Sequence, residues 1–564
     1  MGERRYMEHY DPRTRNQDLS LCAKIYDLFS HSDPHRSDAF PGARKMEAEI
    51  LRMSLSMFHG GAEACGVVAG GGTEVTLLAC LAYRNRAWAR GMYRPEIIAP
   101  STAHPALDKA AALFGMTIRR VPVREDDRVH AAAVKRAIGP HTCMIVASAP
   151  NHITGTVDPI EKLSEVAQRF GVPLHVDCTL GGFLLPFMEY CDYSIPTFDF
   201  RLPGVTSIAI DLHRYGQAPR SCSVLMYRDA SMMRHQCFCN SDWAGGVYAT
   251  PTLAGGRDGG AVATAWATLL GKGRDGYINA CHRVVETTRR LADLLSDIDG
   301  ITLRGAADLC IVAFETSLGD IYVLVDFMTT KGWHVDPLLS PEAARVPVTL
   351  RMCEEGVLEA FVEDVIEGLR YLNENPTKTT KTSAFYHMLQ TIREDPSLCL
   401  KMIHSVRSTL FLPGFYERCR RLDMGYTRYL LNCRISHIYC SDPLNSLCYL
   451  PEEKDPHGVA VMNNNSATKP DVIPPPSHIS CRYNEAFDYD EISASRIEER
   501  RCEREARLQC ENPSADVTLD RIDRSIGAAL AVEQLLRDSY IFDTHVMNRP
   551  PGDVLVVAAK RDYI

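Results

Sequence analysis

A short apolar run passes directly into a glycine-rich turn in the segment Gly66-Val67-Val68-Ala69-Gly70-Gly71-Gly72-Thr73-Glu74, and a helical pattern follows at 75–84. This order predicts a strand, a tight turn and a helix. Glycines let the backbone approach a ligand closely, and the free amides at a helix N-terminus attract phosphate. The segment therefore indicates either a phosphate-binding turn or a tight turn without a ligand.

The same alternation of apolar runs and helical patterns continues on both sides of this segment. The predicted strands are 96–99, 118–123, 143–147, 173–176 and 207–210, and the predicted helices are 47–58, 107–114, 131–138 and 160–170. These strands are brief and nearly all apolar, which is typical of strands that helices cover on both faces. The predicted fold class is α/β, with a large parallel or mixed sheet.

Beyond residue 260 the pattern changes to longer helical segments, 261–270 and 277–298, and then to a second set of strands that includes 309–314 and 348–351. A polar segment near 373–381 has the composition of a linker. The predicted organisation is an N-terminal arm at 1–40, a large domain at 41–290, a small α/β domain at 291–375, a linker and C-terminal helix at 376–412, and an unassigned, partly disordered extension at 413–564.

Composition narrows the classes of function. The net charge is −9, and the basic residues are scattered without forming a block, so a nucleic-acid partner is not expected. The 20 cysteines include one CxC, Cys237-Phe238-Cys239, but no second pair at metal-site spacing, so no metal site is predicted. Buried free thiols are the simplest interpretation, and they suit a reducing compartment. No apolar signal or membrane-spanning run is present, which predicts a soluble, cytoplasmic protein.

A carboxylate ends another predicted strand, in His175-Val176-Asp177. In open α/β sheets, ligands bind at the carboxyl ends of the strands. From such a position Asp177 can keep the nitrogen of a pyridoxal ring protonated and the ring electron-withdrawing. A helix cap is the alternative that the sequence leaves open for this residue.

A third strand ends in a polar cluster, Asp211-Leu212-His213-Arg214-Tyr215. The three motifs, in this order and spacing, resemble the type-I pyridoxal-phosphate-dependent decarboxylase family, and within it the sphingosine-1-phosphate lyases. Further segments that look like those lyases are 40–50, 99–104, 198–207, 242–251 and 254–260. The resemblance implies a type-I pyridoxal-phosphate transferase fold, with the cofactor in the large domain.

The resemblance also implies roles for individual residues. Four of them would hold the cofactor: Gly72 and Thr73 at its phosphate, His104 on its ring, and Asp177 at the ring nitrogen. His213 would lie beside the reactive carbon. Arg220 falls where the lyases have a basic residue suited to a substrate phosphate, and arginine binds phosphate bidentately.

One position departs from the family's pattern, because Arg214 stands where the family has the lysine that holds pyridoxal phosphate as a Schiff base. A guanidinium stays protonated, with a pKa above about 12, and does not form a Schiff base. Loss of activity is the leading interpretation. A sequence or gene-model error, a substitute lysine from elsewhere in the chain, and direct condensation of a substrate amine with non-covalently held cofactor are the alternatives.

The reaction that the resemblance implies splits a phosphorylated long-chain base into a fatty aldehyde and phosphoethanolamine, and Arg214 predicts that this chain catalyses it poorly or not at all. Two other functions stay open: a non-catalytic binding or regulatory subunit that dimerises with an active paralogue, and a pyridoxal-phosphate-dependent amino-acid decarboxylase. The expected partners are a phosphorylated long-chain base or a related amine, and a second subunit in a homodimer or heterodimer. Peripheral association with the endoplasmic reticulum is implied by the resemblance alone.

Overall fold

The computed structural model describes residues 16–393, with side chains from residue 20 to residue 390. The predicted extension at 413–564 lies outside these residues, as do the end of the predicted 376–412 segment and the beginning of the 1–40 arm. Within the described part of the chain, no helix is long and apolar enough to cross a membrane.

Helices and strands alternate through the first 230 residues, and a second group of elements follows. The helices are α1 (Asn16–Phe29), α2 (Pro41–Met57), α3 (Gly72–Ala89), α4 (Ala106–Phe114), α5 (Ala131–Ala137), α6 (Ile160–Phe170), α7 (Leu185–Met188), α8 (Ala230–Arg234), α9 (Gly259–Ser296), α10 (Ile321–Thr330), α11 (Val357–Glu374) and α12 (Lys381–Arg393). The strands are β1 (Cys65–Ala69), β2 (Glu96–Pro100), β3 (Thr117–Val121), β4 (Thr142–Ser148), β5 (Leu174–Asp177), β6 (Val205–Asp211), β7 (Ser223–Tyr227), β8 (Phe238–Asn240), β9 (Tyr248–Thr250), β10 (Ile301–Arg304), β11 (Ile311–Thr316), β12 (Asp336–Leu338) and β13 (Ala343–Pro347).

The main sheet has seven strands in the order β1-β7-β6-β5-β4-β2-β3. Strands β3, β2, β4, β5 and β6 are parallel to one another, and β7 runs antiparallel to its two neighbours, β6 and β1. All residues of β4, β5 and β7 are buried, as expected of strands covered on both faces. The predicted α/β class and large mixed sheet are confirmed.

The order of the sheet brings the predicted motifs to one edge. The chain leaves β1 at Gly70, β2 at Ser101, β4 at Ala149, β5 at Cys178 and β6 at Leu212. Because these five strands point the same way, the loops that follow them lie at the carboxyl edge of the sheet, where ligands bind in open α/β folds.

Helices α3 and α4 pack on this sheet and anchor two of these loops. Their buried side chains, such as Val75, Tyr83 and Leu107, form one apolar cluster with Ile97 of β2 and Val146 of β4. Burying apolar side chains of this size stabilises the fold by about 1.5–3 kcal/mol each, as an upper estimate. The start of α3, which carries the glycine-rich turn, is therefore held rigidly against the sheet.

The second sheet is antiparallel, with the order β10-β11-β13-β12, and one prediction for it is wrong. The predicted strand at 348–351 is not a strand, because β13 ends at Pro347 and the chain turns at Thr349–Met352. Val348 instead donates its amide to Cys310 and accepts a hydrogen bond from the Tyr215 hydroxyl at 2.8 Å. The amide hydrogen bond continues the β11–β13 register by one residue, and the bond from Tyr215 then takes the Val348 carbonyl out of the ladder.

The helices predicted at 261–270 and 277–298 are confirmed as two helical segments of α9, which meet at a kink where Gly273 has non-helical dihedral angles (φ 62°, ψ 179°). One further feature differs from the sequence predictions. The hairpin β8–β9 was not predicted, and it exposes the thiols of Cys237 and Cys239, which contradicts the interpretation of this CxC as buried. These strands are only three residues long and are largely exposed, so they leave no apolar run in the sequence.

Candidate active site

The glycine-rich turn ends at the N-terminus of α3. The backbone amides of Gly72, Thr73 and Glu74 have no acceptor among residues 16–393, since the first backbone-to-backbone bond of the helix runs from the Val75 amide to the Gly71 carbonyl. The Thr73 side chain is exposed and makes no hydrogen bond with the described part of the chain. Three free amides at the positive end of an 18-residue helix fit a phosphate group.

The carboxylate of Glu74 shapes this turn. Its Oε2 accepts a hydrogen bond from the Gly70 amide at 2.7 Å, and its Oε1 accepts one from the Leu253 amide at 3.3 Å. Both oxygens are therefore directed at the turn and at the segment after β9. The side chain braces the loop and leaves the amides of the helix N-terminus unblocked.

Gly72 and Asp211 lie against each other, although 139 positions separate them in the sequence. A Cβ atom added to Gly72 would lie 2.8 Å from Oδ1 of Asp211, which is closer than real Cβ contacts. The Asp211 carboxylate is buried at the end of β6, and its Oδ1 accepts a hydrogen bond from the Ser223 hydroxyl at 2.6 Å. Only glycine fits at position 72 while the carboxylate keeps this place.

Arg214 is bound to the same carboxylate. Its Nε lies 2.8 Å from Oδ2 of Asp211, and its side chain is 17% exposed. The two terminal nitrogens of its guanidinium have no partner among residues 16–393. The guanidinium is thus fixed at one end and available to an anion at the other.

His213 lies beside the same pair of charges, with its Nε2 3.7 Å from Oδ2 of Asp211. Burial lowers the pKa of this imidazole, the Asp211 carboxylate opposes that effect, and the positive charges of Arg214 and Arg220 lower the pKa further. A neutral ring can stack on a cofactor or accept a proton. Arg220 itself is exposed, as a residue that meets a substrate phosphate from solvent would be.

Asp177 ends β5 and is 6% exposed. Its Oδ1 accepts hydrogen bonds from the Thr179 amide at 3.1 Å and from the Thr179 hydroxyl at 2.7 Å. No helix begins at this point, so the alternative of a helix cap is not what the structure shows. Its Oδ2 has no partner among the described residues, which leaves one carboxylate oxygen for a ligand such as a protonated ring nitrogen.

His104 belongs to the loop after β2, and its Nδ1 accepts a hydrogen bond from the Ala106 amide at 3.1 Å. Its ring centroid lies 5.0 Å from that of His152, with the rings tilted by 58°. His152 follows β4, and its Nε2 lies 3.3 Å from the Thr179 hydroxyl oxygen. Sequence reasoning missed His152 and Thr179. Their positions just after two parallel strands were the available signal.

The residues present fit pyridoxal phosphate at both of its ends. Free amides at the N-terminus of α3 match the phosphate, and the unpartnered oxygen of the buried Asp177 matches a protonated pyridine nitrogen. Contacts link Gly72, His213 and Arg214 through Asp211, and they link His104 to Asp177 through His152 and Thr179. The role of Arg220 at a substrate phosphate stays a prediction.

Comparison with known proteins agrees with this geometry. Residues 38–317 match the pyridoxal-dependent decarboxylase conserved domain. Sphingosine-1-phosphate lyase 1 of Rattus norvegicus is 42% identical over 399 residues, which cover 70% of this chain and 69% of the relative. The structure of the Burkholderia pseudomallei sphingosine-1-phosphate lyase is 39% identical, with a TM-score of 0.62 over 68% of this chain and 88% of that one.

A more distant structure extends the likeness of fold. Glutamate decarboxylase of Lactobacillus brevis has a TM-score of 0.58 over 65% of this chain and 88% of that one, at 21% identity. The type-I fold predicted for pyridoxal-phosphate enzymes is confirmed. The match to the pyridoxal-dependent decarboxylase domain supports pyridoxal phosphate as the cofactor. The free amides at the N-terminus of α3 and the buried carboxylate of Asp177 agree with the shared sequence. The chain belongs to the sphingosine-1-phosphate lyase family of pyridoxal-dependent decarboxylases.

Proposed function

We propose that this chain binds pyridoxal phosphate without a covalent bond and is impaired in the lyase reaction of its family. The observation that carries the proposal is Arg214, which is bound to Asp211 at 2.8 Å at the position that the resemblance assigns to the family's lysine. A guanidinium in an ion pair keeps its proton, so it has no free amine with which to hold the cofactor.

The remaining contacts support retention of the cofactor. The amides of Gly72 and Thr73 receive its phosphate, His104 lies over its ring, and Asp177 keeps the ring nitrogen protonated. When bound, pyridoxal phosphate supplies an electron sink that stabilises negative charge on a substrate carbon. Neutral His213 is placed to accept or return a proton at that carbon.

The proposed ligand class is a phosphorylated long-chain base or a related phosphorylated amine. Arg220 provides an exposed cation for the ligand's phosphate, and the free end of Arg214 adds a second one. The relatives' names refer to sphingosine 1-phosphate, and the positive charges of Arg214 and Arg220, which both act on His213, support a ligand of the same phosphorylated class.

A subunit that binds without catalysing is the second candidate function, as a homodimer or as the partner of an active paralogue. The observation that favours an interacting surface is the hairpin β8–β9 with the loop that joins its strands. It exposes Phe238, Trp243 and Val247 by 55%, 59% and 74%. Clusters of exposed apolar side chains mark interaction sites.

One labelling experiment tests the main proposal. Wild-type protein with added pyridoxal phosphate is treated with borohydride, and its peptides are searched for a pyridoxyl-lysine. We expect reversible binding and no modified peptide. Arg214→Lys should give a modified peptide at position 214, and Arg220→Lys, which introduces a lysine six residues away, should not.

Each outcome has a clear meaning. A modified lysine in the wild-type protein contradicts the argument from Arg214. Arg214→Lys with both the modified peptide and lyase activity shows that only the covalent anchor was lost. Arg214→Lys that binds no cofactor indicates a wider change in the pocket and favours the non-catalytic subunit.

A further inference from the structure

Two residues that the sequence reasoning missed connect the loops after β4 and β5. The His152 ring follows β4, Thr179 follows β5, and they meet at 3.3 Å between Nε2 and the hydroxyl oxygen. The same hydroxyl lies 2.7 Å from Oδ1 of Asp177. A hydrogen-bonded series therefore runs from His152 through Thr179 to Asp177, and the His152 ring contacts the His104 ring.

The direction of these hydrogen bonds follows from the chemistry of the groups. An ionised carboxylate only accepts, so the single hydroxyl proton of Thr179 is donated to Asp177. The hydroxyl oxygen must then accept from His152, which places a proton on Nε2 of that ring. His152 thus donates to Thr179 and Thr179 donates to Asp177, so the series fixes the orientation of the carboxylate.

The arrangement also decides which oxygen of Asp177 meets a ligand. Oδ1 already accepts two hydrogen bonds from Thr179, and Oδ2 has no partner among residues 16–393. Thr179 is 4% exposed, so its hydroxyl has little access to water. With Oδ1 held in place, the free Oδ2 has one fixed direction.

We propose that His152 and Thr179 are positioning residues that fix Oδ1 of the Asp177 carboxylate and turn its free oxygen, Oδ2, towards the ring nitrogen of pyridoxal phosphate. This inference rests on the proposed function, because it presupposes that the cofactor binds. It adds to that function the statement that binding depends on the ring nitrogen of the cofactor.

The test compares pyridoxal phosphate with its 1-deaza analogue, in which a C–H group replaces the ring nitrogen. Dissociation constants of both are measured for the full chain and for variants. Thr179→Val keeps the β-branched shape and removes the hydroxyl, and we expect it to weaken binding of pyridoxal phosphate about tenfold while changing binding of the analogue less than about twofold. His152→Leu should act in the same direction.

Conservative variants separate positioning from general damage. Thr179→Ser and His152→Gln retain a donor and should bind pyridoxal phosphate within about threefold of the wild type. Thr117→Val, an exposed threonine in β3, is the matched control and should change neither constant. Thermal unfolding of every variant shows whether it is folded, and His152→Leu carries the test if Thr179→Val is not.

The outcomes distinguish failure of this inference from failure of the proposed function. If the wild type binds neither compound, the proposed function fails and the inference fails with it. If the wild type binds both equally well, cofactor binding stands but Asp177 does not act on the ring nitrogen. If Thr179→Val weakens both compounds equally, or neither, Thr179 has no positioning role.

Discussion

The Nε atom of Arg214 lies 2.8 Å from the Oδ2 atom of Asp211, and this pair joins the end of β6 to the loop that follows it. The carboxylate also contacts Gly72 at the start of α3 and accepts a hydrogen bond from Ser223. One buried charge thus connects the glycine-rich turn with Arg214. The Arg214 guanidinium is part of the packing of this region of the fold.

Replacing Asp211 by asparagine should test how much the ion pair of Arg214 and Asp211 contributes to the stability of the fold. Asp211→Asn keeps the shape but removes the charge that Arg214 binds, so we expect the free energy of unfolding to fall by about 2 kcal/mol. Urea denaturation measures the change. The exposed pair of Arg290 and Glu359 supplies the control, since Glu359→Gln should cost no more than about 0.5 kcal/mol. An equal decrease in the free energy of unfolding in the two variants would show that Arg214 and Asp211 interact no more strongly than an exposed ion pair.

Gly72→Ala should disturb both the turn and the carboxylate. The added Cβ would meet Oδ1 of Asp211 at 2.8 Å, so one of the two must move, and we expect a loss of stability of about 1–3 kcal/mol together with weaker binding of pyridoxal phosphate. Gly61→Ala is the control, because its Cβ would meet no atom within 4 Å. A Gly72→Ala protein as stable as Gly61→Ala would contradict the close approach.

His175 should contribute to instability in acid. Burial lowers the pKa of its imidazole, and the nearby Asp177 only partly opposes this effect. The folded protein keeps the ring neutral, whereas the unfolded chain takes up a proton below about pH 6.5, so acid favours unfolding by up to about 1.4 kcal/mol per pH unit. The variant His175→Gln should lose stability less steeply between pH 6.5 and 5, as measured by urea denaturation at several pH values.

Two comparisons make the pH experiment specific. The burial of Asp158 raises its pKa to about 6, which affects stability in the opposite direction, so the wild type and His175→Gln are compared at each pH. His141→Gln, at an exposed histidine, should follow the wild-type curve. Parallel curves for His175→Gln and the wild type would mean that the folded protein protonates His175 freely.

Tyr215→Phe should loosen the attachment of the Arg214 loop to the second group of strands. The Tyr215 hydroxyl is buried and donates to the Val348 carbonyl at 2.8 Å, so its removal leaves a buried acceptor unpaired and should cost about 1–2 kcal/mol. Thermal or urea unfolding measures this cost. Tyr93→Phe, at a side chain that is 75% exposed, should have no measurable effect, and the same result for Tyr215→Phe would show that the bond contributes nothing.

Much of the architecture could be predicted because buried parallel strands leave short, continuous apolar runs. The runs at 143–147, 173–176 and 207–210 each coincide with a strand to within two residues at either end. The exposed hairpin β8–β9 and the turn at Thr349–Met352 escaped prediction, since neither depends on a periodic apolar pattern. The domain boundaries and the role of 413–564 stay predictions.

The sequence by itself determined the α/β class and the polar residues at the strand ends, because both are properties of residue type and local order. Tertiary structure decided which of these residues meet. Strand order alone brings the Asp211 carboxylate against Gly72, and it alone places His152 and Thr179 in series with Asp177. Hydrogen bonds and steric exclusion act over about 3 Å in space, and residues far apart in the chain come that close only once the sheet has formed.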